Sequence, residues 1–117
     1  MNKITIFEGK QGSGKTKKAL EISKEKNPTW LFRNYGSNYN LKEVEEYTQL
    51  LIFDEIHHSD IQYIAQIANK DYITFRQPYG KQPITIKRPE ILICTVSHHE
   101  ELLQAFDKNV VVEIVNF

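Results

Sequence analysis

Apolar residues in this chain fall into short blocks, and the spacing inside the blocks alternates between two periods. Ile4-Thr5-Ile6-Phe7 is β-branched and aromatic, which suits a buried strand. Residues from Lys15 onward are good helix formers, with Leu20 and Ile22 expected to face inward, until Asn27-Pro28 stops the helix near Lys26. Thr29-Trp30-Leu31-Phe32 reads as a second strand, and residues 34–39 as loop by composition. Asn40 with Glu43 has capping-box spacing and opens a short helix to about Tyr47. Leu50-Leu51-Ile52-Phe53 is apolar throughout, the mark of a strand covered on both faces. Ser59 with Gln62 repeats the capping spacing, and Ile61, Ile64, Ala65 and Ala68 then recur at helical intervals to about Lys70. Ile73-Thr74-Phe75 and Ile84-Thr85-Ile86 flank Pro78, Gly80 and Pro83, which predicts a β-hairpin. Ile91 to Val96 is a further strand, Ser97 with Glu100 caps a helix to about Phe106, and Val110 to Val115 closes the series. Strands alternating with helices predict a three-layer α/β domain with a mainly parallel five-stranded sheet and the hairpin as an insertion. Ligands of such a sheet sit beyond the carboxyl ends of its strands.

Composition narrows this reading. At 117 residues and 40% hydrophobic content, a single domain over 1–117 with a real core is expected. Fifteen basic and fifteen acidic side chains cancel, so any contact with nucleic acid must come from a local patch. A lone cysteine, Cys94, excludes an internal disulfide and fits a reducing cytoplasm. The chain enters a strand straight after Met1-Asn2-Lys3 and has no apolar run of membrane-spanning length. A cytoplasmic protein with no membrane contact is therefore expected.

Candidate chemistry concentrates at the predicted strand ends. Gly9-Lys10-Gln11-Gly12-Ser13-Gly14-Lys15-Thr16 has the spacing of a phosphate-binding loop, between a strand and a helix as that motif requires. Its glycines let backbone N–H groups approach phosphate oxygens, so Gly9, Gln11, Gly12, Ser13 and Gly14 form the cradle. Lys15 would reach the β- and γ-phosphates, and the Thr16 hydroxyl would face Mg²⁺. The apolar strand 50–53 delivers Asp54 and Glu55 to its carboxyl end: Asp54 for Mg²⁺, and Glu55 to accept a proton from an attacking water or orient it. After the strand at 91–96, Ser97 or His98 could hydrogen-bond that water or sense the γ-phosphate, while Ser97 also suits a helix N-cap. Residues 76–88 hold Arg76, Tyr79, Lys81, Lys87 and Arg88 and no acid, a pattern that suits phosphate contacts with base stacking. His57-His58 and His98-His99 complete no zinc-like ligand set.

Taken together, these motifs resemble the superfamily 3 helicase domain of small DNA-virus and plasmid replication proteins. The loop at 9–16 and Leu51-Ile52-Phe53-Asp54-Glu55 match its first two motifs. The segment from Gln77 to Pro89 resembles its basic DNA-contacting hairpin, and Ile91-Leu92-Ile93-Cys94-Thr95-Val96-Ser97 its third motif. The resemblance implies a P-loop NTPase with an AAA+-like sheet, ATP and Mg²⁺ as cofactors, and subunits in a ring around DNA or in a larger replication assembly. It also implies contact with single-stranded DNA through residues 76–88. The third motif of the family ends in Asn, where this chain offers Ser97 or His98. The family places an arginine after the next helix, where this chain has Lys108. An ammonium cannot make the two-pronged contact of a guanidinium, so slow hydrolysis by the isolated chain is expected. Two rivals use the same loop: a small-molecule kinase, and a non-enzymatic nucleotide-binding or assembly module.

Overall fold

Strand β1 (Ile4–Glu8) is the hub of the molecule, described here by a computed structural model over residues 3–26, 28–30, 46–75 and 80–117. In chain order follow α1 (Lys15–Ser23), β2 (Pro28–Trp30), β3 (Leu50–Phe53), α2 (Ile61–Ala68), β4 (Tyr72–Phe75), β5 (Ile84–Lys87), β6 (Glu90–Thr95), α3 (His99–Ala105) and β7 (Val112–Asn116). Five strands pair in parallel in the order β2-β3-β6-β1-β7, so β1 lies between β6 and β7. β4 and β5 form a separate antiparallel pair. The fold is thus α/β, with a parallel sheet and the expected small hairpin.

Period-two alternation sorts the strand residues into two cores. Ile4, Ile6, Leu51, Phe53, Ile91 and Ile93 face α2, α3 and the inner face of the hairpin, joined by Ile61, Ile64, Ile73, Phe75 and Leu102. Phe7, Leu50, Ile52, Leu92 and Cys94 face the other way, onto α1 through Ala19. Every side chain of β3 is buried, as its unbroken apolar run predicts. Helices on both faces leave the ends of the strands as the open surfaces.

Several local expectations need correction. Leu20 is 47% exposed; α1 turns Lys15, Ala19 and Ser23 inward at four-residue spacing, because the helix is set by the loop before it. The entry to α2 is not capped by Ser59 and Gln62. A 3-10 turn, His58–Asp60, precedes it, and the His57 N–H donates to Asp60 Oδ2 at 2.7 Å. Helix α3 starts at His99 with His98 at the N-cap position, so Ser97 is not its cap. Asn69 joins the far ends of α2 and α3: its Nδ2 donates to Ala105 O at 3.1 Å, and Asp107 N–H donates to its Oδ1 at 2.8 Å. The helix expected at 40–47 lies outside the described residues apart from a turn at Glu46 and Tyr47, and so does the end of the second strand at 31–32. No helix among the described residues is long and apolar enough to cross a membrane.

Candidate functional site

Three strand ends meet at one edge of the sheet. Residues following β1, β3 and β6 line a cleft of about 460 Å³ that includes Gln11, Gly12, Gly14, Lys15, Thr16, Glu55, Thr95 and His98. Two of its glycines are in the left-handed region, Gly12 at φ 82° and Gly14 at φ 99°, where a side chain is disfavoured. Gly9 has a different reason. A Cβ there would lie 2.7 Å from Phe117 Cβ and 3.0 Å from the Phe117 carbonyl oxygen, because Phe117 N–H donates to Glu8 O at 2.7 Å. The loop is thus held between β1 and the end of β7, and Gly9 N–H donates to Thr95 O at 3.2 Å on the other side.

Lys15 opens α1 and is only 8% exposed. A buried ammonium needs acceptors. Its Nζ donates to the carbonyl of Gly9, and to that of Lys10 at 2.9 Å. These bonds hold it inside the loop, where an anion in the cleft would meet it. Next to it, Thr16 Oγ1 donates to Asp54, 3.0 Å from Oδ1 and 3.2 Å from Oδ2. Asp54 is 2% exposed and Thr16 half-buried, so a partly buried bond joins the loop to the end of β3 through the two residues expected to share a metal. A hydroxyl and a carboxylate form an all-oxygen donor set, the chemistry Mg²⁺ prefers. Behind them the Cys94 thiol is pushed up to about 12, first by burial and then by the Asp54 carboxylate, which makes it a core group rather than a nucleophile.

Glu55 is exposed, lines the cleft, and is the one described non-glycine residue with positive φ, at 52°. Strained backbone of this kind is typical of sites where side-chain direction matters more than stability. The third segment separates the two residues proposed after β6. His98 lines the cleft and Ser97 does not. His98 N–H donates to Thr95 Oγ1 at 3.2 Å, and its Nδ1–H to Glu101 Oε1 at 3.2 Å. A carboxylate partner fixes the Nδ1–H tautomer and leaves Nε2 as the acceptor. His58 Nδ1 contacts the other oxygen of Glu101, so one carboxylate ties the segment after β3 to the first turn of α3. The His98 hydrogen bond, and then His58, hold the Glu101 carboxyl below its usual range.

Sequence reasoning missed three members. Glu8, at the end of β1, receives His99 N–H at 3.0 Å and His99 Nδ1–H at 2.6 Å, fastening α3 beside the glycine loop. Glu101 and Thr95 orient His98. Their one sequence signal is adjacency to a motif. Among the described residues, no arginine lines the cleft and no group of three or more His, Cys, Asp or Glu is placed to hold a metal.

Residues 1–108 match the virulence-associated protein E-like domain. This chain belongs to that family. The fold of the VapE-like domain is shared with a solved structure, the A-form apo structure of the NrS-1 C-terminal region, at TM-score 0.60 and 13% identity. The alignment covers 97% of this chain and 28% of that one, so the VapE-like domain described here spans little more than a quarter of its structural neighbour. No curated protein matches.

The basic window of the VapE-like domain is divided by the fold. Arg76 and Tyr79 lie outside the described residues. Lys81 is exposed beyond the hairpin turn, and Lys87 is exposed at the end of β5. Arg88 is corrected: it is 7% exposed, below the hairpin rather than on it, and its Nη1 donates to Pro89 O at 2.8 Å. Burial lowers its pKa, opposed by the nearby Asp71 carboxylate.

Proposed function

We propose that this VapE-like domain binds and hydrolyses Mg-ATP as a P-loop NTPase, and that it works with single-stranded nucleic acid in replication. One observation carries the reading. A lysine buried at the first turn of a helix, inside a loop of left-handed glycines, stands beside a threonine bonded to a buried strand-end aspartate. Oriented N–H groups, the ammonium and the helix N-terminus all favour a phosphate chain there. Thr16 and Asp54 would hold Mg²⁺, which supplies charge neutralisation at the phosphates. Lys15 turns from the Gly9 and Lys10 carbonyls to the phosphate oxygens. Glu55 takes the proton of the attacking water, and His98 Nε2 orients that water or the γ-phosphate. The parallel sheet, with the loop-bearing strand flanked on both sides, and the family membership support the same reading.

The test is a titration with a fluorescent ATP analogue and a phosphate-release assay, both with and without Mg²⁺. Wild type should bind, Lys15→Ala should lose most affinity, and Glu55→Gln should bind but turn over far more slowly. Equal affinity in wild type and Lys15→Ala would reject the site. Binding without turnover in any condition, including added oligonucleotide, would favour the non-enzymatic module. Transfer of phosphate to a small acceptor in preference to water would favour a kinase.

A further inference from the structure

The end of the sheet opposite the cleft carries a second concave surface. Its lining residues precede β6 and β7 or join α2 to β4, so in a parallel sheet they lie at the amino ends of the strands. The groove has a volume of about 390 Å³. Lys70, Lys87 and Arg88 line it against a single carboxylate, Asp71, which leaves a positive surface on a chain with zero net charge. Arg88 forms its floor, held by Pro89 O and by its own N–H, which donates to Asp71 O at 2.8 Å across the base of the hairpin.

One wall is an aromatic ring. Strand β4 alternates strictly, with Ile73 and Phe75 buried in the core and Tyr72 and Thr74 outward. Tyr72 is 61% exposed and lines the groove. Its cross-strand partner is Lys87, also outward and also lining the groove. The next pair along that face, Thr74 and Thr85, is joined by a hydroxyl bond at 2.7 Å, so the ring stands on a braced hairpin. An exposed aromatic face beside cations is the combination that binds single strands, by stacking a base and contacting the phosphates on either side.

We infer that Tyr72 and Lys87, over the groove floored by Arg88, form a stacking site for single-stranded nucleic acid, distinct from the hairpin tip near Lys81. This rests on the proposed nucleic-acid partner and moves its anchor from the tip to the base of the hairpin. Lys70 and Lys87 take the phosphates, and Tyr72 takes a base without reading its identity, since every base has a π-face.

The experiment is fluorescence anisotropy with a labelled oligothymidylate across a salt series, with ATP-analogue affinity and sedimentation mass measured on the same samples. Tyr72→Ala should weaken oligonucleotide binding by about 5- to 150-fold. Tyr72→Phe should retain it, since the ring does the stacking, and both variants should bind the ATP analogue as wild type does. Lys87→Ala should flatten the slope of log K against log salt by about 0.7. Equal affinity in wild type and Tyr72→Ala, with Lys81→Ala weakened, would overturn this inference and leave the hairpin tip as the contact. Failure of wild type to bind oligonucleotide would overturn it together with the nucleic-acid half of the proposed function, while the ATP titration stands apart. A change in sedimentation mass on Tyr72→Ala with oligonucleotide affinity intact would assign the face to contacts between copies, and would also overturn it.

Discussion

Glu55 offers a separation of stability from chemistry. Its φ of 52° places a β-carbon in the left-handed region, which costs an ordinary residue about 1–2 kcal/mol. Glycine has no such cost, but its freer unfolded chain takes back roughly 0.5–1 kcal/mol. The difference leaves Glu55→Gly about 0.5–1 kcal/mol more stable than a side-chain-bearing variant at the same position. The right comparison is Glu55→Ala, which also lacks the carboxylate but keeps the β-carbon, so loss of the acid cancels between the two. Glu55 is exposed and its replacement leaves no cavity. In urea unfolding the midpoint of Glu55→Gly should exceed that of Glu55→Ala by roughly 0.3–0.7 M, with equal slopes. Both variants should be inactive in phosphate release. If Glu55→Ala is the more stable of the two, the backbone there is not strained, and the argument that the fold gives up stability to aim this carboxylate fails.

Gly9→Ala should destabilise the fold by about 1–3 kcal/mol in the same urea assay, because the new methyl meets Phe117 side chain and backbone at 2.7 and 3.0 Å and neither is a flexible tip. Ile64→Ala should cost about 2–5 kcal/mol by urea unfolding while leaving nucleotide affinity intact in the native state, since Ile64 is fully buried on the side of the sheet away from α1. Cys94 gives a pH dependence of definite sign. The folded state holds its thiol proton up to about 12, whereas the unfolded chain releases it near the ordinary value of 9.0. The contribution is fully present below pH 9.0 and is lost as pH rises toward 12, at up to about 1.4 kcal/mol per pH unit. Unfolding free energy measured between pH 9 and 10.5 should therefore fall more steeply in wild type than in Cys94→Ala, and parallel curves would contradict it.

Elements whose signal is local were legible in the sequence. The apolar run Leu50–Phe53 could only be a covered strand, and the glycine loop between strand and helix gave Lys15, Thr16 and the position of the cleft. What failed was local geometry that tertiary structure decides. Helix α1 takes its rotational setting from a loop that aims Lys15 inward, which pushes Leu20 out against its hydrophobicity. Arg88 reads as one more cation of a basic window, yet the connection from β5 to β6 turns it under the hairpin, where burial is offset by the Pro89 carbonyl. Glu8 and Glu101 were missed for different reasons. Glu8 is close to His99 only because β1 and β6 are neighbours in the sheet, whereas Glu101 stands three residues from His98 and was overlooked although its spacing is local.

The two faces of the sheet are secured unequally, and this bears on how the cleft works. Helix α2 buries Ile61, Ile64, Ala65, Ile67 and Ala68, and each isoleucine contributes up to about 1.5–3 kcal/mol. Helix α1 buries Ala19, Ser23 and Lys15, with Ile22 partly buried against the same core, so apolar burial holds it less firmly than α2. Its two ends do more. Thr16 bonds to Asp54 at the start, and beyond its last turn Lys26 pairs with Glu90. The element that carries Lys15 thus has less fully buried apolar surface than α2. On the proposed reading, Lys15 would exchange the carbonyls of Gly9 and Lys10 for a ligand's oxygens, and polar contacts at the ends of α1 would let the helix adjust without opening the core. A ligand bound there at a hundred times its dissociation constant would add about 2.7 kcal/mol to the folded state.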